Sequence, residues 1–223
     1  MREGEPIGTA VLYDNPFHAR HRNLKLSLSE YDCSAAAELF DLLAQAAGKP
    51  LKVMLGSEEA DLAAFLKAGG FALKRRCFEA EVGPEDLLET PREVPALSVC
   101  TAGGAEYREC CRLLFSCYRV THEAVSPLTA DFDTFCERLP ETALFIRRED
   151  GRLMHTAFVE GKEIAYIASE TPDEAAPFAL AAAEYLFSEH RRILFECDDC
   201  DPASMLLLDL FRHGEESFDT YVR

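Results

Sequence analysis

The feature that most constrains this chain is an order of elements that occurs twice. SEEADLAAFLKAGGF, starting at Ser57, offers a capping serine followed by two glutamates, an apolar helical stretch, a Gly-Gly stop and an aromatic entry into the next strand. DPASMLLLDLFRHGEESF, starting at Asp201, repeats the plan with Asp201 as N-cap, Pro202 at the first helical position, Gly214 as stop and Phe218 in the strand beyond. Before the first closure the pattern predicts strands at 7–13 and 23–28, a helix at 34–47 capped by Ser34, and a strand at 51–55. In that helix Leu39, Leu42, Leu43 and Ala46 recur at three and four, and Gly48 with Pro50 stops it. The closure itself adds a helix at 57–68 and a strand at 71–82. The later half predicts strands at 153–159 and 163–168, a helix at 173–190, a strand at 192–197, a helix at 202–212 and a strand at 217–222. Ahead of these it adds a strand at 96–101, helices at 105–120 and 131–139, and a strand at 143–147. The turns Glu149-Asp150-Gly151 and Glu160-Gly161-Lys162 make strands 143–147, 153–159 and 163–168 an antiparallel meander. The expectation is therefore an α/β chain of two related units: 1–84 truncated, 85–95 a proline-bearing linker, and 96–223 complete.

Charge narrows the partners. The 223 residues carry 40 acidic and 23 basic side chains, a net charge of -17. Such a surface repels phosphate backbones and anionic lipids, so neither nucleic acid nor membrane is an expected partner, whereas an amine is. The nine cysteines are odd in number, and Cys110 and Cys111 are adjacent, which reads as reduced thiols rather than a disulfide framework. The segment MREGEPIGTA has no apolar core of signal-peptide length, and no apolar run reaches the roughly 18 residues that span a bilayer. A cytoplasmic protein is expected.

Two closures of this kind carry a resemblance. FLKAGGFALKRRCFEAEV, at 65–82, resembles the late segment of the GNAT family, the acyl-CoA-dependent N-acyltransferases, in which a capped helix turns through Gly-Phe into an aromatic strand. The order strand, two helices, meander, helix, strand, helix, strand over 97–223 is similar to the rest of that family's fold, and the first half resembles a shortened copy. The resemblance implies a mixed twisted sheet flanked by helices. It also implies an N-acetyltransferase that moves an acyl group from acetyl-CoA to an amine of a small molecule or peptide. A homodimer is left open. The alternative is a catalytically degenerate GNAT-like protein that acts as a binding or structural module.

The family's chemistry needs a splayed strand for the pantetheine arm, backbone amides at a helix start for the pyrophosphate, a base and an acid. The strands at 23–28 and 164–169 occupy the splayed position. By resemblance, Ile167, Ala168, Ser169, Thr171 and Ala175 are the cofactor-binding candidates. The loops that follow, SETPDEA at 169–175 and SEYDCSA at 29–35, hold no glycine, arginine or lysine, unlike the family's basic glycine-rich pattern. The family's tyrosine acid is also replaced, by Leu66 in one closing helix and Leu208 in the other. Tyr166 on the strand, or the run Tyr118, His122 and Glu123 at the end of a helix, could supply acid and base instead. The pair Cys197 and Cys200 has the spacing of half a zinc site, but the sequence offers no second pair, so no metal is expected. His18, Arg20, His21 and Arg22 form a basic cluster that reads as a solvated loop.

Overall fold

The computed structural model describes residues 7–88 and 94–223. Its strands are β1 (Gly8–Tyr13), β2 (Arg22–Leu28), β3 (Leu51–Gly56), β4 (Ala72–Val82), β5 (Ser98–Thr101), β6 (Thr142–Arg147), β7 (Leu153–Glu160), β8 (Glu163–Ser169), β9 (Ile193–Asp198) and β10 (Ser217–Val222). Its α-helices are α1 (Ala36–Ala47), α2 (Ala60–Ala68), α3 (Ala105–His122), α4 (Phe132–Cys136), α5 (Ala176–Phe187) and α6 (Pro202–Asp209). The predicted element order is therefore present, with four local corrections, the first being that Ser57 does not cap α2, whose N-cap is Glu59 with no side-chain capping bond. Ser34 does not cap α1; its amide and hydroxyl both donate to Asp32, at 3.0 and 2.6 Å, and the N-cap is Ala35. The helix expected from 173 starts at Ala176, because Pro172–Glu174 tightens into a 3-10 turn. Gly214 does not stop α6, whose C-cap is Leu210 in the right-handed region.

Contacts divide the chain into two compact units. Unit 1 holds residues up to Arg76, Glu123–Ala130 and Glu216–Arg223; unit 2 holds Cys77–His122 and Asp131–Glu215. This differs from the linear division at 1–84 and 96–223: the strand ending each half of the sequence contributes to the other unit. In unit 1, β10 pairs antiparallel with β3, from Phe218↔Gly56 to Val222↔Lys52. In unit 2, the later part of β4 pairs antiparallel with β9, from Cys77↔Asp198 to Val82↔Ile193. Alternation and aromatic content mark a strand, but they do not say which open edge will take it. Of the expected linker, 89–93 lie outside the described residues, while Leu87 bridges to Phe211.

Each unit has its own run of mixed strands and its own core. Unit 1 runs β1-β2-β3-β10-β4, with Leu24, Phe40, Leu51, Val53, Phe65, Leu66, Phe71 and Tyr221 buried beneath α1 and α2. Unit 2 runs β4-β9-β8-β7-β6-β5, with Phe178, Leu180, Ile193, Phe195, Cys197, Leu207 and Phe211 among the buried side chains. The basic cluster is solvated only in part: Arg20 is exposed, but the histidines are not. His18 and His21 are buried, and the His18 ring lies 3.2 Å from the Pro127 carbonyl, because residues 123–130 cover it.

Candidate active site

The site in unit 2 begins with a strand that leaves its neighbour. β8 and β9 are parallel and share only two register pairs, Glu163↔Leu194 and Ile164↔Phe195. Beyond Ile164, β8 stays with β7 and parts from β9. Its register with β7 shifts between Phe158 and Val159, so that Tyr166 faces Phe158 and Ile164 faces Val159. Ala165 is the extra residue, and a bulge of this kind bends the strand. The result is a wedge that opens from Tyr166 toward Ser169. Unit 1 has the same design: β2 and β3 share Arg22↔Leu51 and Asn23↔Lys52 and then diverge.

Helix spacing fills the mouth of the unit 2 wedge. Tyr118 and His122, four apart on α3, share one face, and their rings stack at 3.8 Å with 9° between planes. Tyr118 also meets the Tyr166 ring edge-on at 6.5 Å. His122 is 2% exposed, and its Nε2 lies 3.0 Å from Asp198 Oδ2 at the end of β9. Its Nδ1 lies 3.1 Å from the Tyr118 carbonyl and 2.9 Å from Thr121 Oγ1. Tyr118, His122 and Tyr166 therefore come together. Glu123 does not join them; it falls in unit 1, exposed, 3.4 Å from Arg20.

The surroundings are acidic. Burial, then the charges of Glu196, Glu163 and Asp198, pushes the Tyr166 phenol above its usual range and keeps it a neutral donor. Burial, then Glu163, Glu79 and Asp198, raises the Glu196 carboxyl. Asp201, which caps α6 through the Ala203 amide at 3.0 Å, is also raised, chiefly by burial. A carboxyl raised in this way takes up a proton more readily, and a cluster of them draws an amine. Sequence reasoning missed Glu196, Asp198 and Asp201. The acids between Cys197 and Cys200 were visible, but their part in the wedge was not.

The far end of the wedge is built differently from a phosphate cradle. Ile167, Ala168, Ser169 and Ala175 are buried. The Ser169 hydroxyl lies 2.8 Å from His155 Nδ1 and accepts from the Thr171 amide at 3.0 Å. The Glu170 amide donates to Met154, Glu174 to Thr171, and Ala175 to Pro172. Pro172 and Pro177 have no N–H at all. The helix-start amides are thus largely engaged, and they do not fit a pyrophosphate as they stand. Two observations favour an anion there nonetheless. Thr171 Oγ1 is buried without a hydrogen-bond partner. Arginines absent from the loop arrive on the β6–β7 turn, with Arg152 at 2.6 Å from Glu170 and Arg148 at 3.8 Å from Glu174. The matching loop of unit 1 borders a cavity of about 340 Å³ lined by Leu28, Glu30, Asp32, Glu38, Leu39 and Phe65, which is apolar and acidic.

Two splayed parallel pairs, each followed by a helix over a mixed sheet, define an α/β protein with the fold of the GCN5-related N-acetyltransferases. Solved structures agree. One is a GCN5-related N-acetyltransferase from Sphaerobacter thermophilus, 10% identical, covering 99% of this chain and 78% of its own, with a TM-score of 0.58. Another, from Kribbella flavida, is 17% identical and covers 98% of this chain and 88% of its own, with a TM-score of 0.53. A conserved protein of unknown function from Staphylococcus epidermidis, 11% identical, covers 98% and 91%, with a TM-score of 0.52. At these identities the likeness establishes the fold. No protein-family model and no curated protein matches the sequence.

Proposed function

We propose that the chain is an acyl-CoA-dependent N-acyltransferase that works in the wedge of unit 2 on an amine of a small molecule or peptide. The observation that carries this reading is the divergence of β8 from β9 after Ile164, with Tyr118, His122 and Tyr166 gathered at its mouth. β8 beyond the bulge would hold the pantetheine arm by strand-like pairing. Ile167 and Ala168 form the buried wall there, and Ser169 and Thr171 lie at its end. The bound acetyl-CoA supplies the activated thioester. Glu196, Asp198 and Asp201 attract the cationic acceptor. Glu196, or the His122–Asp198 pair, takes a proton from it. Tyr166, held neutral, donates a hydrogen bond.

A second reading has a specific observation in its favour: the engaged amides of 170–175 and the acids beside them support a fold kept as a binding or structural module without donor. Calorimetric titration with acetyl-CoA at low salt, together with chromatographic detection of coenzyme A released in the presence of amines, separates the two. Saturable binding and amine-dependent release are expected. Absence of binding at millimolar acetyl-CoA leaves the module.

A further inference from the structure

The sequence pair Cys197 and Cys200 is not what the fold assembles. Cys197 is fully buried in the core of unit 2, and burial holds its thiol well above the usual range. Cys200, in the turn after β9, meets instead two groups that no sequence spacing links to it. His122 Nε2, an Asp198 carboxylate oxygen and Cys200 Sγ all lie within 4.8 Å of one another.

We propose that His122, Asp198 and Cys200 form a binding site for a borderline-soft divalent metal ion, zinc being the natural occupant. The donor set of imidazole, carboxylate and thiolate suits zinc and cobalt, and the thiolate disfavours magnesium and calcium. Two ligand atoms on one tetrahedral ion, with bonds of about 2.0–2.3 Å, stand about 3.3–3.8 Å apart. The 3.0 Å between His122 and Asp198 must open slightly, and the other separations, none above 4.8 Å, need close by no more than about 1–1.5 Å. Cys200 lies in a turn and Asp198 at a strand end, where such shifts need no change in the sheet.

Hydrogen bonding around the imidazole supports the assignment. A carbonyl oxygen only accepts, so a bond between Nδ1 and the Tyr118 carbonyl, 3.1 Å apart, puts the proton on Nδ1. Nε2, 3.0 Å from the Asp198 carboxylate, then either carries a second proton and donates to Asp198 or shares a cation with it, and a metal ion is the alternative to that proton. Metal-binding histidines are commonly oriented in this way, with the second nitrogen donating to a backbone carbonyl. The Thr121 hydroxyl, 2.9 Å from Nδ1, serves the other tautomer, in which Nε2–H donates to Asp198 and no metal is bound. Three protein ligands leave one tetrahedral position for water.

The site shares His122 and Asp198 with the acyl-transfer wedge proposed above, and a bound metal takes that pair out of proton chemistry and leaves Glu196 as the base. The test therefore reads the metal itself. The full chain, stripped with chelator, is titrated with cobalt(II) and followed by absorption. One equivalent should bind, with a thiolate-to-cobalt charge-transfer band and the visible bands of tetrahedral cobalt. Cys200→Ser should abolish the charge-transfer band, and His122→Gln should weaken binding at least about tenfold. Cys33→Ser, at an exposed thiol in unit 1, should change neither. A second measurement on the unsubstituted chain is alkylation mapped by mass spectrometry, in which zinc should protect Cys200. Absence of the band, its survival in Cys200→Ser, or equal labelling of Cys200 with and without zinc overturns the proposal.

Discussion

Gly69 and Gly70 show how two residues hold a whole element in place. Phe71 N–H donates to Leu66 and Gly70 N–H to Lys67, each at 3.0 Å, which closes α2 with a Schellman motif. Gly70 takes φ 88 to do so. Gly69 is needed for a different reason: a Cβ there would lie 2.2 Å from the buried Phe40 ring. Gly69→Ala should therefore destabilise the protein by about 1–3 kcal/mol, read by urea denaturation, and by more than Gly70→Ala, which should cost about 1 kcal/mol. Equal small effects would mean that the ring yields freely. Lys52 gives a second test at this scale. Burial, then Arg75, lowers its pKa to about 8 from 10.5. Between those values the unfolded chain binds a proton that the folded chain lacks, so this group makes stability rise with pH from about 8 to 10.5. Below pH 8 the charged amine is a liability. Lys52→Met should stabilise the fold at neutral pH by about 1–3 kcal/mol and flatten that rise in thermal melts.

At the scale of elements, the turn from β8 into α5 decides how tightly a polyanion is held. Glu170 and Glu174 occupy Arg152 and Arg148. Surface pairs of this kind add little stability, so their removal should leave melting unchanged. The acids matter more to a phosphate: each like charge about 4 Å away costs about 1 kcal/mol in water. The double substitution Glu170→Gln with Glu174→Gln should tighten coenzyme A binding about five- to tenfold by calorimetry, and Arg152→Gln should weaken it. Unchanged affinity in both would move the phosphate end away from this turn. The acidic composition of the loop, without glycine, arginine or lysine, was plain in the sequence. The arginines that neutralise these acids were not legible, because they come from the neighbouring hairpin. In the same way Tyr118 and His122 were legible from their spacing on α3. Asp198 and Cys200 were not, because β9 brings them there through pairing with distant strands. Glu123, adjacent in sequence to His122, is carried off where the helix ends.

At the scale of the molecule, unit 1 depends on residues from the far end of the chain. β3 takes β10 along its edge over five register pairs, and Tyr221 joins the unit 1 core. A chain ending at Glu215 should therefore lose protection in β3, α1 and α2 by hydrogen exchange while α5 and β9 keep theirs. Retained protection throughout unit 1 would mean that its own elements suffice. Among the described residues, no helix is long and apolar enough to cross a membrane. The amino-acid sequence by itself determined the elements and their order, since hydrophobic period, capping residues and glycine stops act over a few residues. The family resemblance, not the hydrophobic pattern, pointed to the two strands that splay. Only the tertiary structure decided which edge each closing strand joins, which amides of 170–175 are already bonded, and which side chains stand with His122. The strand edges and the neighbours of His122 rest on contacts between residues about 75 to 170 positions apart, where strands of similar pattern compete and only packing of the whole selects among them, while the amides of 170–175 are taken up within the turn and by Met154 on β7.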